Sequence, residues 1–388
     1  MADETPTSTP AAAETRFVNA MRLSARQWLV VAAIVTAVLV ATPWVWKKIE
    51  RFETGPDYRI PYTLSKDYWL YERRLKRLTP TDIVVVGDSV IWGEYVRSDG
   101  TLSHFLSEQS GQPGKFVNAG VNGLFPLAFE GLVGDYCDPV WHRKVILHCN
   151  LLWMSSPKAD LHTEKEERFN HADLVPQFSP RIPCYKADLN RRFSAVVERH
   201  FAFSQWANHL QVAYFGQKNV IAWTLDDEGG EPPQLPNAFK NPVAQITLAV
   251  PPEPAVDPER GPASPRHKPR STTGEGSTRF EWVELDQSFQ WAAFRRLVEL
   301  LQSRGNDLLV VVGPFNEHIM AAENRPAYRR LREGAGDWLA RNQIAHVMPE
   351  PLPSALYADA SHPLTDGYQM LADRLSHDAT FQKWMNAR

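Results

Sequence analysis

Four short stretches, far apart in the chain, hold the residue types that acyl transfer needs. In "VVVGDSV" (84–90) a β-branched run ends at Gly87-Asp88-Ser89, so a serine hydroxyl stands where a predicted strand stops. Such a hydroxyl is a weak nucleophile until an imidazole takes its proton, and the imidazole needs an acid that fixes its tautomer and favours its charged form. "YADASHP" (357–363) supplies both in Asp359 and His362. Attack on an acyl carbon develops an oxyanion, which calls for preorganised donors. The Ser89 N–H, the N–H of Gly120 or Gly123 in "NAGVNG" (118–123) and the side-chain amide of Asn150 in "LHCNLLW" (147–153) are the candidates. Gly-Asp-Ser alone is ordinary turn chemistry. The Asp-x-x-His pair near the C-terminus gives it catalytic meaning.

These residues must be brought together, and the hydrophobic pattern says how. Short apolar runs predict strands at 82–87, 115–120, 144–150, 306–314 and 345–349, and amphipathic patterns predict helices near 99–109, 125–134, 287–305, 326–342 and 365–377. Strands alternating with helices imply an α/β, three-layer fold with a central parallel sheet. Sites in such sheets form beyond the carboxyl ends of the strands. Ser89, Gly123 and Asn150 follow the first three strands, and His362 lies in the loop before a late helix. "VVVGPFNEH" (310–318) brings Asn316 and His318 to the same edge, where they are expected to line the pocket. His148 and Cys149 read as buried packing residues.

A chain of 388 residues with 43% hydrophobic and 11% aromatic content can fill a sizeable core. Lys+Arg of 42 against Asp+Glu of 45 leaves a net charge of -3, which offers nucleic acid no basic surface. No His-Glu-x-x-His, Cys-x-x-Cys or P-loop pattern occurs, so neither metal nor cofactor is expected. Cys137, Cys149 and Cys184 form no disulfide framework and allow at most one bridge.

From Gln27 to Trp46 the chain carries no charge, matching the roughly 20 apolar residues that cross a bilayer core. Trp28, Trp44 and Trp46 fall where interfacial aromatics belong, and Lys47 and Lys48 close the run. A cleaved signal peptide is the poorer reading, because the run is long and ends in Trp-Val-Trp. The organisation predicted is a disordered tail (1–26), a transmembrane anchor (27–46), a connecting helix (47–81) and a domain (82–388). That domain carries a cap (151–225) and a disordered Pro-rich insertion (226–279).

The four stretches resemble the blocks of the SGNH, or GDSL-like, hydrolases, named for a Ser, Gly, Asn and His in four short motifs. The resemblance implies the flavodoxin-like SGNH hydrolase fold with Ser89 as nucleophile, His362 as base and Asp359 as its orienting acid. It also implies Gly123 and Asn150 in the oxyanion hole. The third block departs from the usual Gly-x-Asn-Asp, reading His148-Cys149-Asn150-Leu151. With its anchor and its "VVVGPFNEH" segment, the chain is similar to membrane-tethered members associated with acylation or deacylation of envelope polymers. The implied activity is that of a serine esterase or O-acyltransferase acting through an acyl-serine on acylated envelope or extracellular carbohydrate. The bilayer is a partner through residues 27–46, and a membrane acyltransferase is a candidate one. The alternative is a catalytically weak accessory protein of a polysaccharide-modifying complex, supported by the altered third block.

Flanking charge pulls the other way on topology. Arg16, Arg22 and Arg26 precede the apolar run and Lys47, Lys48, Arg51, Arg59 and Lys66 follow it, which favours a cytoplasmic C-terminal domain. Envelope chemistry needs the domain outside, and a single-pass protein with an extracytoplasmic domain is the expectation adopted.

Overall fold

β-branched runs that are buried on both faces suit a parallel sheet, and five of them form one. The computed structural model describes residues 23–225, 240–259 and 276–387. In chain order the elements are α1 (Ala25–Ile49), α2 (Tyr68–Leu75), β1 (Ile83–Gly87), α3 (Ser89–Trp92), α4 (Leu102–Gln109), β2 (Phe116–Gly120) and α5 (Pro126–Tyr136). There follow β3 (Lys144–Cys149), α6 (Leu189–His200), α7 (Ala202–Phe215), α8 (Val220–Leu225), α9 (Pro242–Gln245) and α10 (Phe289–Ser303). The chain closes with β4 (Asp307–Val312), α11 (Arg325–Arg341), β5 (Ala345–Val347), α12 (Thr365–His377) and α13 (Ala379–Asn386).

All pairings are parallel and the spatial order is β2-β1-β3-β4-β5, the flavodoxin-like order. Alternation along each strand divides the core into two halves. Val84, Val86, Val145, Leu147 and Val310 face α2, α5 and α10; Val85, Ile146, Leu309 and Val311 face α4 and α12, with α13 on the same side. Burying each such side chain contributes about 1.5–3 kcal/mol. The chain is an α/β protein whose strand ends gather at one edge, as the sequence pattern predicts.

α1 is long and apolar enough to cross a membrane; at 25 residues it is about 37 Å long. Ser24 caps its start in a reciprocal pair with Gln27. Its far end is locked into the domain. Glu50, the C-cap, is buried and pairs with Arg73, accepts from His209 Nε2 at 2.8 Å and accepts from Tyr214 Oη at 2.5 Å. His209 Nδ1 donates to Asp67 at 2.6 Å. Burial opposes the charge of His209, but the Asp67 and Glu50 carboxylates outweigh it and raise its pKa to about 9.

Two expectations are corrected. Residues 47–81 are not one connecting helix: α1 ends at Ile49, an extended stretch follows, and α2 buries Tyr68, Trp69, Leu70, Tyr71 and Leu75 in the core. An apolar face that large cannot stay in a linker, so the domain begins before Asp82. The Pro-rich insertion is not disordered where it is described. Arg51 pairs with the backbone at Leu248 and Val250, Glu253 forms an ion pair with Arg59, Glu259 accepts from the Thr365 N–H at 2.7 Å, and Thr278 pairs with Met320. Charge pairs and backbone bonds hold what composition reads as loose. The tail (1–26) is also corrected at its end, where Ser24 caps α1 and the helix starts at Ala25; the disorder expected of 1–22, 226–239 and 260–275 lies outside the described residues.

Candidate active site

β1 stops at Gly87 because Asp88 caps the short helix α3, its Oδ1 accepting from the Val90 N–H at 3.0 Å. Ser89 is therefore the first residue of α3, with its hydroxyl at the carboxyl edge of the sheet. Gly93, left-handed at φ 86°, ends α3 after one turn and sends Glu94 and Tyr95 back over the same edge. On the opposite side Asp359 folds its own loop, accepting from the N–H groups of Ser361 and His362, each at 3.0 Å.

The two loops meet at His362. Ser89 Oγ donates to Nε2 at 2.8 Å, and Nδ1 donates to the Asp359 carboxylate, 2.8 Å from each oxygen. Glu94 reaches within 3.3 Å of Nε2, and the Tyr95 ring stands edge-on at 5.5 Å. Burial opposes a charged imidazole here, but the hydrogen bond and charge of Asp359, with Glu94 and Asp88, raise the His362 pKa above its ordinary value. Asp359 is correspondingly held below the usual carboxylate range, burial being outweighed by His362. Glu94 is pushed up, chiefly by burial.

Compared with known proteins, the chain matches no family model and no curated protein sequence. The reading of these residues rests on their geometry.

Beneath Ser89 lies a second cluster, centred on the buried Asp88. Its Oδ2 accepts from Asn150 Nδ2 at 2.8 Å and Trp153 Nε1 at 3.1 Å, and its Oδ1 lies 3.0 Å from His148 Nδ1. His148 Nε2 is 3.0 Å from the Gly313 carbonyl, so both ring nitrogens face acceptors. Burial disfavours the Asp88 charge, yet His148 and Asn150 hold its pKa below the ordinary value. His148 is the next-to-last residue of β3 and Asn150 follows the strand directly, capping the next turn, and both reach Asp88, while Cys149 points into the core, where burial pushes its thiol up. All three cysteines are buried and free. Among the described residues no group of three or more His, Cys, Asp or Glu side chains is arranged to hold a metal ion.

Ser89, His362, Gly123 and Asn150 line one cleft of about 480 Å³, a volume ordinary for a small-molecule site. Gly123 takes a left-handed φ of 72° at its wall. Gly120, the alternative register, ends β2 under α3, where a side chain would strike the Trp92 backbone nitrogen; it packs and does not line the cleft. The Asn150 amide has one N–H committed to Asp88 and its oxygen to the Leu152 N–H at 3.0 Å, leaving its orientation locked and its second N–H for the cleft. Phe125, Trp153 and Phe169 give the walls an apolar lining, and Lys158 and Glu167 pair across the rim at 3.1 Å.

The expected lining residues are placed elsewhere. Asn316 is buried behind the Asp359 loop, its backbone N–H donating to Ala360 O at 2.8 Å and its Nδ2 to Asp359 O at 3.1 Å. It supports the loop from behind because the chain turns away after Gly313-Pro314. His318 donates from Nε2 to Leu352 O at 3.0 Å and lines a separate, arginine-rich cavity with Arg325, Arg329 and Arg332. Sequence reasoning missed Glu94 and Tyr95, whose one available signal was Gly93 as a helix-ending residue, and the role of Asp88 as the acceptor that orders His148, Asn150 and Trp153.

Proposed function

We propose that the chain is a membrane-anchored serine esterase or O-acyltransferase of the SGNH, GDSL-like type, acting through an acyl-serine on acylated carbohydrate of the cell envelope. The observation that carries this reading is the unbroken line Ser89 Oγ to His362 Nε2 to Asp359, with both links at 2.8 Å beside a cleft. Ser89 Oγ attacks the ester carbonyl while its proton passes to Nε2, and Asp359 holds the imidazolium so formed. The N–H groups of Ser89 and Gly123 and the Asn150 amide stabilise the oxyanion. His362 then protonates the leaving alkoxide, and the acyl group stays on Ser89. Water or a sugar hydroxyl gives its proton to His362 and attacks the acyl carbon, and the Ser89 oxygen takes that proton back as it leaves. A mainly apolar cleft with an ion-paired rim suits an acyl chain bound beside a polar acceptor. Work at the envelope surface would also account for an anchor such as α1, with the domain extracytoplasmic.

The test is labelling of the full chain in detergent with a fluorophosphonate, wild type beside Ser89→Ala and His362→Ala. Labelling of wild type alone is expected, with ester turnover lowered at least about 10³-fold in either variant. Folded wild type that takes no label would overturn the reading and favour the accessory-protein alternative.

A further inference from the structure

Helix α6 is built inside out. "LNRRFSAVVERH" sets Leu189, Phe193 and Val197 at four-residue steps, one row along the helix. That row faces outward, the three side chains being 65%, 58% and 49% exposed. Arg192 and Arg199 point inward instead: Arg192 donates to Ala187 O and Tyr185 O at 3.0 and 2.8 Å, and Arg199 to Asp173 O and Val175 O at 2.7 and 2.5 Å. Phe178 packs on Phe193 with ring centres 5.3 Å apart, and exposed Phe201 prolongs the row past the helix end. A contiguous apolar row on the outside of a domain marks something that covers it.

Its place on the molecule says what that is. Along the last turns of α1 one face, formed by Leu39, Thr42, Pro43, Trp46, Lys47 and Glu50, is wholly or partly covered, while the residues between them stay exposed. α7 packs there. Trp46 meets Trp206 at 5.7 Å and Tyr214 at 6.4 Å, Trp206 meets Phe203 at 5.1 Å, and Phe203 meets Phe201 at 6.4 Å. A chain of rings thus leads from the aromatic end of α1 to the corner where α6 joins α7. Pro43 and Trp46 close the apolar run, so the α7 side chains that pack on Trp46 stand at the level of the bilayer surface. Aromatic side chains favour that level, and a helix with one apolar face lies there in the plane of the membrane.

We propose that α6 and the α6–α7 corner form a second membrane contact, with the Leu189–Phe193–Val197 row and Phe201 set into the headgroup region beside the anchor. This rests on α1 being the anchor. Because Arg192 and Arg199 are committed to backbone carbonyls and Arg191 to Asp173 at 2.6 Å, the contact is apolar and does not require anionic lipid.

The test uses the full chain in phosphatidylcholine vesicles, carrying an environment-sensitive fluorophore on Val35→Cys, Phe193→Cys or Val197→Cys. The native cysteines are buried, and all three chosen sites are exposed. Probes at 193 and 197 should lose fluorescence to a lipid spin label at headgroup depth, to the same extent with or without anionic lipid. A probe at 35 should respond to a label deep in the acyl region. Quenching at 35 but not at 193 or 197 overturns the second contact and leaves the anchor standing. No quenching at any of the three overturns both.

Discussion

His362 has carboxylates on both sides of its ring, Asp359 at Nδ1 and Glu94 near Nε2, with Asp88 beyond Ser89. In the proposed mechanism the neutral ring is the base, so kcat/KM should rise with pH through the His362 pKa. That pKa is raised against burial by Asp359, Glu94 and Asp88, so the acid limb should lie above the ordinary histidine value of 6.5. Glu94→Gln removes one of these charges and should move the limb to lower pH, with Ser89 still reactive. An unmoved limb in a pH–rate profile would show that the ring does not feel Glu94. That Ser89, Asp359 and His362 meet was legible in the sequence, because each stands at a strand end or in one short loop at the same sheet edge. Glu94 was not, since its position depends on a chain reversal at Gly93 that spacing alone does not reveal.

At the scale of elements, the loop carrying Glu94 and Tyr95 is clamped by one buried arginine. Arg59 donates to Trp92 O at 2.7 Å, Gly93 O at 2.6 Å and Val96 O at 2.8 Å, and lies 3.9 Å over the Trp92 ring. Glu253, from the Pro-rich insertion, holds the guanidinium from the other side at 2.5 Å. Glu253→Ala should therefore loosen a loop it never touches, lowering kcat about tenfold with KM little changed. Equal kcat in the variant, measured on a soluble ester, would assign Glu253 to stability alone. The five strands and the helices between them could be read from period and length, because burial on both faces forces continuous apolar runs. The insertion could not, because one ion pair and a few backbone bonds order it, and neither leaves a mark in composition. α2 was misjudged for a related reason: the sequence shows an apolar face but not that α5 and α7 stand ready to cover it.

For the whole molecule, the junction between α1 and the domain sets a pH limit. His209 has its folded pKa raised to about 9, above an unfolded value near 6.5, so its stabilisation is full below 6.5 and is lost as pH rises through 9. That stabilisation amounts to about 3 kcal/mol. Thermal unfolding of the full chain in detergent should fall in midpoint across this range, and His209→Gln should start lower and flatten the fall. A slope unchanged by the substitution would place the pH dependence elsewhere. The same knot of Glu50, Arg73, His209, Asp67 and Tyr214 makes α1 a stiff mast and not a tether. Under the proposed function, a slack leash would let the enzyme sample a hemisphere of acceptors, whereas a mast would sweep it through a thin disc parallel to the lipid. Acyl groups within that disc would meet Ser89 at high effective concentration, and those above or below it would be out of reach however abundant they are.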